Sequence, residues 1–415
     1  MIMVAVGTFA ATGLTQLVLG GIQTFILDDT QWKSSSLAFA VTLGTWVSGM
    51  TSPFMGRLAD RHGPRILMPL GAVIAATSFF ILSRSTSIWH FYLAYIFGRG
   101  FSNPMLVGVV PRTAVVNFFR RRRNLALAMN SMFRPLGGSV NIQFISMVTL
   151  SSGWRVAYFI LGIFALVISI PLGFAMRRRP EDLGLEPDGL IVETRSSNNP
   201  KHEGKLSPRQ GFHESEEISW TTQEAIRAPA FWIVGIIAVL SLISSATLGF
   251  SMVPYLKDAT GMSTVQAAGI LSFSTVLSIS NIAWGYLADR YTPKRMLMIA
   301  LSMTIVLVVY LLLLDSFKEA LLFGLMWGLV TGTVGVLEQM LLAQYFGRKS
   351  YGSISGLLSP IQMLALGTGP ILGAGIRDLT GSYDQLFTGL IGLYVVALLL
   401  LIKVRTPVKY EGILS

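Results

Sequence analysis

The chain contains no cysteine. Disulfides, thiolate metal sites and a cysteine nucleophile are therefore excluded. Charge is scarce as well: 13% of the residues are Asp, Glu, Lys or Arg against 52% that are apolar, the reverse of the balance in a soluble domain. The four histidines, His62, His90, His202 and His213, fall in loops or at the ends of apolar runs. Neither a metal site nor a histidine proton relay is expected from that placement. No nucleophile beside a base and no paired carboxylates stand out, so the chain reads as a non-enzyme that needs no cofactor.

What it has in quantity is apolar sequence. Twelve runs are long enough to cross a hydrocarbon core, which takes about 20 helical residues. They lie near 3–27, 36–56, 66–83, 91–117, 124–148, 156–176, 229–254, 264–285, 296–314, 320–344, 354–376 and 385–402. The first is too long for a cleavable leader and lacks a basic lead-in and a small-residue cleavage site, so it reads as a membrane helix. The fold expected is an all-α membrane protein in a lipid bilayer.

The net charge of +11 invites a nucleic-acid reading until the charges are located. Loops on one side, with the C-terminal tail, hold 23 Lys and Arg; the other side holds six, Lys33, Arg84, Arg155, Lys257, Lys318 and Arg377. That asymmetry is the positive-inside signal, and it places both termini in the cytoplasm. Arg120 to Arg123 are thereby a topological anchor, and no nucleic-acid partner is expected.

Ten residues, Gly56-Arg57-Leu58-Ala59-Asp60-Arg61-His62-Gly63-Pro64-Arg65, return as Gly285-Tyr286-Leu287-Ala288-Asp289-Arg290-Tyr291-Thr292-Pro293-Lys294. Asp60 and Asp289 are 229 residues apart, and the loops beginning Phe118-Phe119-Arg120 and Tyr345-Phe346-Gly347 repeat at 227. Two landmarks at one period mark a duplicated chain. These residues resemble the loop between the second and third helices of the major facilitator superfamily, Gly-x-Leu-Ala-Asp-Arg-x-Gly-x-Arg. The second copy departs from it at Thr292 and Lys294.

The resemblance implies twelve transmembrane helices in two pseudo-symmetric six-helix bundles, with a substrate site between them. The divisions expected are an N-terminal bundle over 1–176, a cytoplasmic linker over 177–228, a C-terminal bundle over 229–404 and a tail over 405–415. It implies a monomeric secondary transporter of the cytoplasmic (inner) membrane, working by alternating access. Asp60, Arg57 and Arg61, with Asp289 and Arg290 in the second copy, would then gate the cytoplasmic face. Three short segments, at Arg179 to Gly189, Ala343 to Gly352 and Asp378 to Tyr383, resemble the oxalate/formate antiporter and monocarboxylate branch. That branch carries an arginine where Asn281 stands here, so its substrate is not inherited with the fold. Likewise Arg134-Pro135 stands where many antiporters of the superfamily have Gly-Pro.

An ionised side chain in hydrocarbon costs about 2.5–3.5 kcal/mol on insertion scales, so each one needs a reason. Four fall within the runs: Arg99, Arg112, Arg134 and Glu338. With a rise of about 1.5 Å per residue, Arg112, Arg134 and Glu338 sit roughly 10–17 Å from the cytoplasmic border, in one layer. Thirteen residues at about 100° each put Arg99 and Arg112 some 220° apart on a continuous helix. One of them is expected to brace helices while the other meets substrate; Asn103 shares the face of Arg99.

Two readings of this layer stand side by side. In one, Arg134 with Arg99 or Arg112 binds an anionic substrate and Glu338 couples transport to protons. In the other, Glu338 pairs with Arg112 or Arg134 as a structural or gating ion pair. Gln16, Tyr255, Asn281 and Gln339 are further candidate lining residues. The function expected is transport of a small, monocarboxylate-like organic anion, coupled to protons or to a counter-anion. The alternatives are proton-driven efflux of amphipathic or cationic compounds and a membrane sensor that moves nothing. Between the halves, 193–215 is expected to be mobile, and Thr221-Thr222-Gln223-Glu224 reads as a capping box that starts a short surface helix.

Overall fold

The computed structural model describes residues 2–14, 16–183, 220–330 and 332–407. The stretch expected to be mobile, 193–215, lies outside the described residues, as does most of the segment 179–189. Among the described residues there is no strand.

The helices group into twelve spans, as the apolar runs require. In the first half, α1 (Ile2–Thr12) and α2 (Gln16–Thr30) form the first span, α3 (Ser34–His62) the second and α4 (Pro64–Ser83) the third. The fourth is α5 (Ile88–Leu106) with α6 (Val109–Phe118), the fifth α7 (Arg123–Ser152) and the sixth α8 (Trp154–Ala175). A short helix, α9 (Thr222–Arg227), leads into α10 (Pro229–Thr260), the seventh span. The eighth is α11 (Thr264–Leu277) with α12 (Asn281–Arg290), the ninth α13 (Pro293–Leu313), and the tenth α14 (Phe317–Val330) with α15 (Thr333–Phe346). The eleventh is α16 (Tyr351–Thr380) and the twelfth α17 (Asp384–Lys403).

By length and apolarity alone, eight spans qualify to cross a membrane. The first, second, fourth and fifth do not, and they include the spans that carry Arg99, Arg112 and Arg134. The first fails by length, its apolar helix Ile2–Thr12 being short, while the fourth and fifth carry the three arginines within the apolar runs.

Four spans are broken near their middles. In the fourth, the amides of Val107 and Gly108 both donate to the Asn103 carbonyl, at 2.9 and 2.8 Å, and the helix restarts at Val109. In the tenth, Gly332 adopts a left-handed φ of 76° and ends the helical ladder. The eighth passes through a 3₁₀ turn, Ser278–Ser280, and the first is interrupted at Gly13-Leu14. Irregular backbone at membrane depth is tolerated where protein or a cavity satisfies it, and in transporters such breaks cluster at the binding level.

The two halves meet along two seams, second span on eleventh and fifth on eighth. The first seam is built from small residues one turn apart: Ser52 and Gly56 face Gly352 and Gly356. A Cβ on Gly56 would stand 2.1 Å from the Gly352 carbonyl oxygen, and one on Gly356 2.8 Å from that of Ser52. Only glycine at these two positions allows backbones to approach so closely. At the basic face, which carries the repeated loops, one apolar cluster runs across both halves. It joins Val115, Val116, Ala126 and Ala128 of the first to Ala288, Phe346 and Tyr351 of the second.

The opposite face is held differently. Arg155 pairs with Asp29, which also accepts from Trp154 Nε1 at 3.1 Å, and Arg377 pairs with Asp258 at 3.1 Å. Both pairs lie within one half. The halves are therefore fastened together at the basic face, and among the described residues no ion pair joins them at the other.

Candidate functional site

Each repeated loop ends in a carboxylate that holds the other half. Asp60 Oδ1 accepts from the Gly352 amide at 3.0 Å, and its Oδ2 accepts from the Ser353 amide and hydroxyl, both at 2.7 Å. These amides are orphan donors at the start of the eleventh span, and the carboxylate meets the positive end of that helix. Asp289 does the same for the fifth span, accepting from the amides of Asn124 at 3.2 Å and Leu125 at 3.1 Å. The two latches are pseudo-symmetric, and each crosses a seam.

Asp60 lies in the last turn of α3, beyond the apolar run 36–56. Burial, the largest influence, raises its carboxyl above the ordinary range, and the Ser353 and Gly352 donors pull it back. Burial thus opposes the charged form, and the three donors favour it. Further bonds close the same face: Arg123 Nη1 donates to the Ala343 carbonyl at 3.1 Å, and Arg348 donates to the Asn117 carbonyl at 3.3 Å while pairing with Glu181 at 2.7 Å. Arg57 and Arg61, expected as gating residues, are exposed and contact no acceptor among the described residues. Arg290 lies over the Tyr291 ring, 5.8 Å from its centroid.

Arg134 departs from its surroundings. The lipid-side stripe of α7 is Met129, Leu136, Val140 and Met147, all exposed. At about 100° per residue Arg134 lies on the other side, among Asn130, Gly137, Asn141 and Ile145. Those four are buried, and Asn141 donates to the Phe9 carbonyl at 2.8 Å on the first span. Arg134 alone on that face is exposed. Exposure on the side away from the lipid stripe is what a residue lining a crevice between the spans would show.

Three guanidinium groups converge there. Arg134 stands within electrostatic reach of Arg99 and Arg112, both on the fourth span. Arg99 is committed: it is 6% exposed, its Nε donates to Thr45 Oγ1 at 3.1 Å and its Nη1 to the Leu14 carbonyl at 2.7 Å, so it ties the fourth span to the second and first. Arg112 is half-buried; neither it nor Arg134 makes a hydrogen bond or ion pair with a described residue. Of the two arginines of the fourth span, then, one braces helices and the other is free. The angular argument from sequence does not carry over, because the break at Val107–Gly108 separates the two residues into different helices.

The remaining candidates separate. Gln339 Oε1 accepts from Tyr351 Oη at 3.0 Å, and Tyr351 in turn lies within electrostatic reach of Arg112 and Arg123. Gln339 therefore closes the basic end of the arginine cluster. Asn103 donates to Ser48 Oγ at 2.8 Å, and Asn281 accepts from Thr333 Oγ1 at 2.7 Å beside the breaks of the eighth and tenth spans. Tyr255 donates to the Leu311 carbonyl at 3.0 Å and packs on Phe387, at the far end from the arginines. The side chain of Gln16 lies outside the described residues.

Glu338 is 5% exposed, and its Oε1 has no hydrogen-bond partner. Its neighbours are Ser241 on the seventh span and Tyr394 on the twelfth. The ion pair with Arg112 or Arg134 weighed from sequence is not formed: Glu338 turns into the second bundle, toward Ser241 and Tyr394. Tyr351, Ser241 and Tyr394 lie beside these groups and carried no sequence signal, being a serine or a tyrosine in a long apolar run.

The Major Facilitator Superfamily profile matches residues 4–370 and, in a second match, 234–413. Monocarboxylate transporter 12 of Mus musculus is 24% identical over 411 residues, covering 93% of this chain and 81% of its own. The membrane sensor protein UhpC of Salmonella typhimurium is 24% identical over 236 residues, 56% of this chain and 51% of that protein. Among solved structures, the human organic anion transporter MFSD10 (TETRAN) superposes with a TM-score of 0.70 at 16% identity, covering 96% of this chain and 98% of that one.

Proposed function

The chain belongs to the Major Facilitator Superfamily, and from that membership we propose a transporter whose cargo is a small organic anion of the monocarboxylate kind. The observation that carries the proposal is the pair Arg112 and Arg134: two guanidinium groups in reach of each other, on the inner faces of the fourth and fifth spans, with no acid or carbonyl among the described residues engaging either. Uncompensated cations at membrane depth are unfavourable unless an anion joins them. Guanidinium matches a carboxylate with two parallel donors. That one relative is a monocarboxylate transporter and one structural neighbour an organic anion transporter agrees with this cargo.

The latched basic face is the cytoplasmic one in this proposal, on the positive-inside asymmetry. The structure then corresponds to the state that loads from outside. Glu338 is the proton site. Its unpartnered oxygen sits between the seventh and twelfth spans, away from the cargo cations, so protons act through packing of the second bundle and not by touching cargo.

The test is flux into proteoliposomes of the full chain, with monocarboxylates as substrates, with and without a pH gradient. Arg134→Ala should raise KM by about 10- to 150-fold, the equivalent of one or two lost charge-assisted hydrogen bonds. Glu338→Gln should retain binding while losing the response to the gradient. Unchanged KM in Arg134→Ala refutes the anion site, and loss of transport of an amphipathic cation in Glu338→Gln alone would point to export of cations.

A further inference from the structure

A second basic site lies on the molecule, away from the crevice. A cavity of about 400 Å³ opens at the basic face, lined by Arg61, His62, Arg65, Ile66, Arg177 and Arg178. It sits where the hairpin between the second and third spans meets the end of the sixth. Arg61, His62 and Arg65 are exposed and bond to nothing described. Arg177 Nη1 is held by the carbonyls of Phe174 and Met176, at 2.7 and 3.1 Å. Arg178 donates through Nη2 to the Asp60 carbonyl at 3.0 Å, while its Nε is buried without a partner. No carboxylate among the described residues lines the cavity.

Four guanidinium groups without an acid require an anion, and the surroundings say which kind. Along the third span Ile66 and Leu70 are 56% and 44% exposed, and along the sixth Phe174 and Ile170 are 73% and 62% exposed. These are successive turns leading away from the cavity into the membrane zone, on two spans that pack together. A charged pocket continuous with an apolar strip fits an amphiphile. We propose that this cavity binds the phosphate headgroup of an anionic glycerophospholipid, whose acyl chains lie over Ile66, Leu70, Ile170 and Phe174. A free phosphate would use only half of what is offered.

The second half differs at the corresponding place. Lys294 occupies the place of Arg65, five residues after the repeated Asp, but its Nζ donates to the carbonyls of Ile402 and Val404 at 3.3 and 2.7 Å. There the end of the twelfth span takes up the charge that the first half leaves open. Because Arg178 also binds the backbone of Asp60, the lipid site adjoins the latch.

The experiment uses the purified full chain in phosphatidylcholine nanodiscs titrated with phosphatidylglycerol, read by native mass spectrometry of retained lipid and by melting temperature. Wild type should retain phosphatidylglycerol over phosphatidylcholine and melt higher with it. Arg61→Gln/Arg65→Gln should lower that preference by about an order of magnitude or more, with unchanged melting in phosphatidylcholine alone, since neither side chain makes a structural contact. Arg61→Lys/Arg65→Lys and the control Arg290→Gln/Arg295→Gln should keep it. Equal phosphatidylglycerol preference in the Gln variant overturns the proposal, as does loss of the preference in the Lys variant. A melting shift reproduced by millimolar inorganic phosphate overturns it too, in favour of a soluble-anion site.

Discussion

Replacing Asp60 by Asn keeps the shape of the latch and removes its match. Asp60 accepts three hydrogen bonds from two residues, Gly352 and Ser353, using both oxygens. Asn has one accepting oxygen and one donating NH2. Whichever way it turns, at least one backbone amide at the start of the eleventh span faces a donor. An amide left unsatisfied in a buried contact costs about 1–3 kcal/mol. Neutralising a half-buried carboxylate returns some desolvation energy, which offsets part of that cost. The closed basic face should lose about 5- to 150-fold against the open one. If the open state is held at about 1% in wild type, it rises to between about 5% and 60%.

The chain lacks cysteine, so spin labels can be attached at Arg57→Cys and Lys349→Cys without first removing native thiols. Both positions are exposed and lie on opposite sides of the seam between the second and eleventh spans. The distance distribution should gain a longer component in Asp60→Asn. Ser353→Ala, which removes only the hydroxyl donor, should give a smaller one. Identical distributions in wild type and Asp60→Asn would refute the assignment of Asp60 as the latch.

Gly56→Ala should be worse than its size suggests. Its Cβ would lie 2.1 Å from a backbone oxygen, so the seam must part, and overpacking of this kind costs about 1–3 kcal/mol; a melting temperature several degrees lower and lost flux are expected. Gly389→Ala, with nothing within 4 Å of its Cβ, should melt as wild type does. Asp289→Asn should weaken the other seam by the mechanism of Asp60→Asn and to a similar degree, because two amides are engaged there too; spin labels across the fifth and eighth spans would measure it.

The duplication, the twelve spans and the two carboxylates were legible because each is a local chemical pattern: a charged hairpin between apolar runs, repeated. The capping box was legible for the same reason, and Thr221 and Glu224 do exchange backbone bonds, at 2.8 and 3.3 Å. What Asp60 holds was not, since Gly352 and Ser353 lie 292 and 293 residues away. Helical rise gave an expected depth for Arg112, Arg134 and Glu338, but not the direction in which each side chain points. A break such as Val107–Gly108 resets the helical phase, and no residue in Gly332's neighbourhood announces the left-handed turn that reorients α15.

The arrangement of the latches explains how the basic face can be both firmly shut and able to open. Asp60 belongs to the first half and caps a helix of the second; Asp289 belongs to the second and caps a helix of the first. Neither can be released without moving the halves apart, so the five bonds break in one rigid-body step. Their gross strength would make that step forbidding if the carboxylates had no alternative. Burial supplies one, because an ionised group withdrawn from water gives up solvation that it regains on opening, and for Asp60 that penalty is the largest influence on its carboxyl. Desolvation therefore offsets part of what these bonds contribute. In the transport reading proposed above, cargo engaging Arg112 and Arg134, near Tyr351 at the start of the eleventh span, would add to that offset.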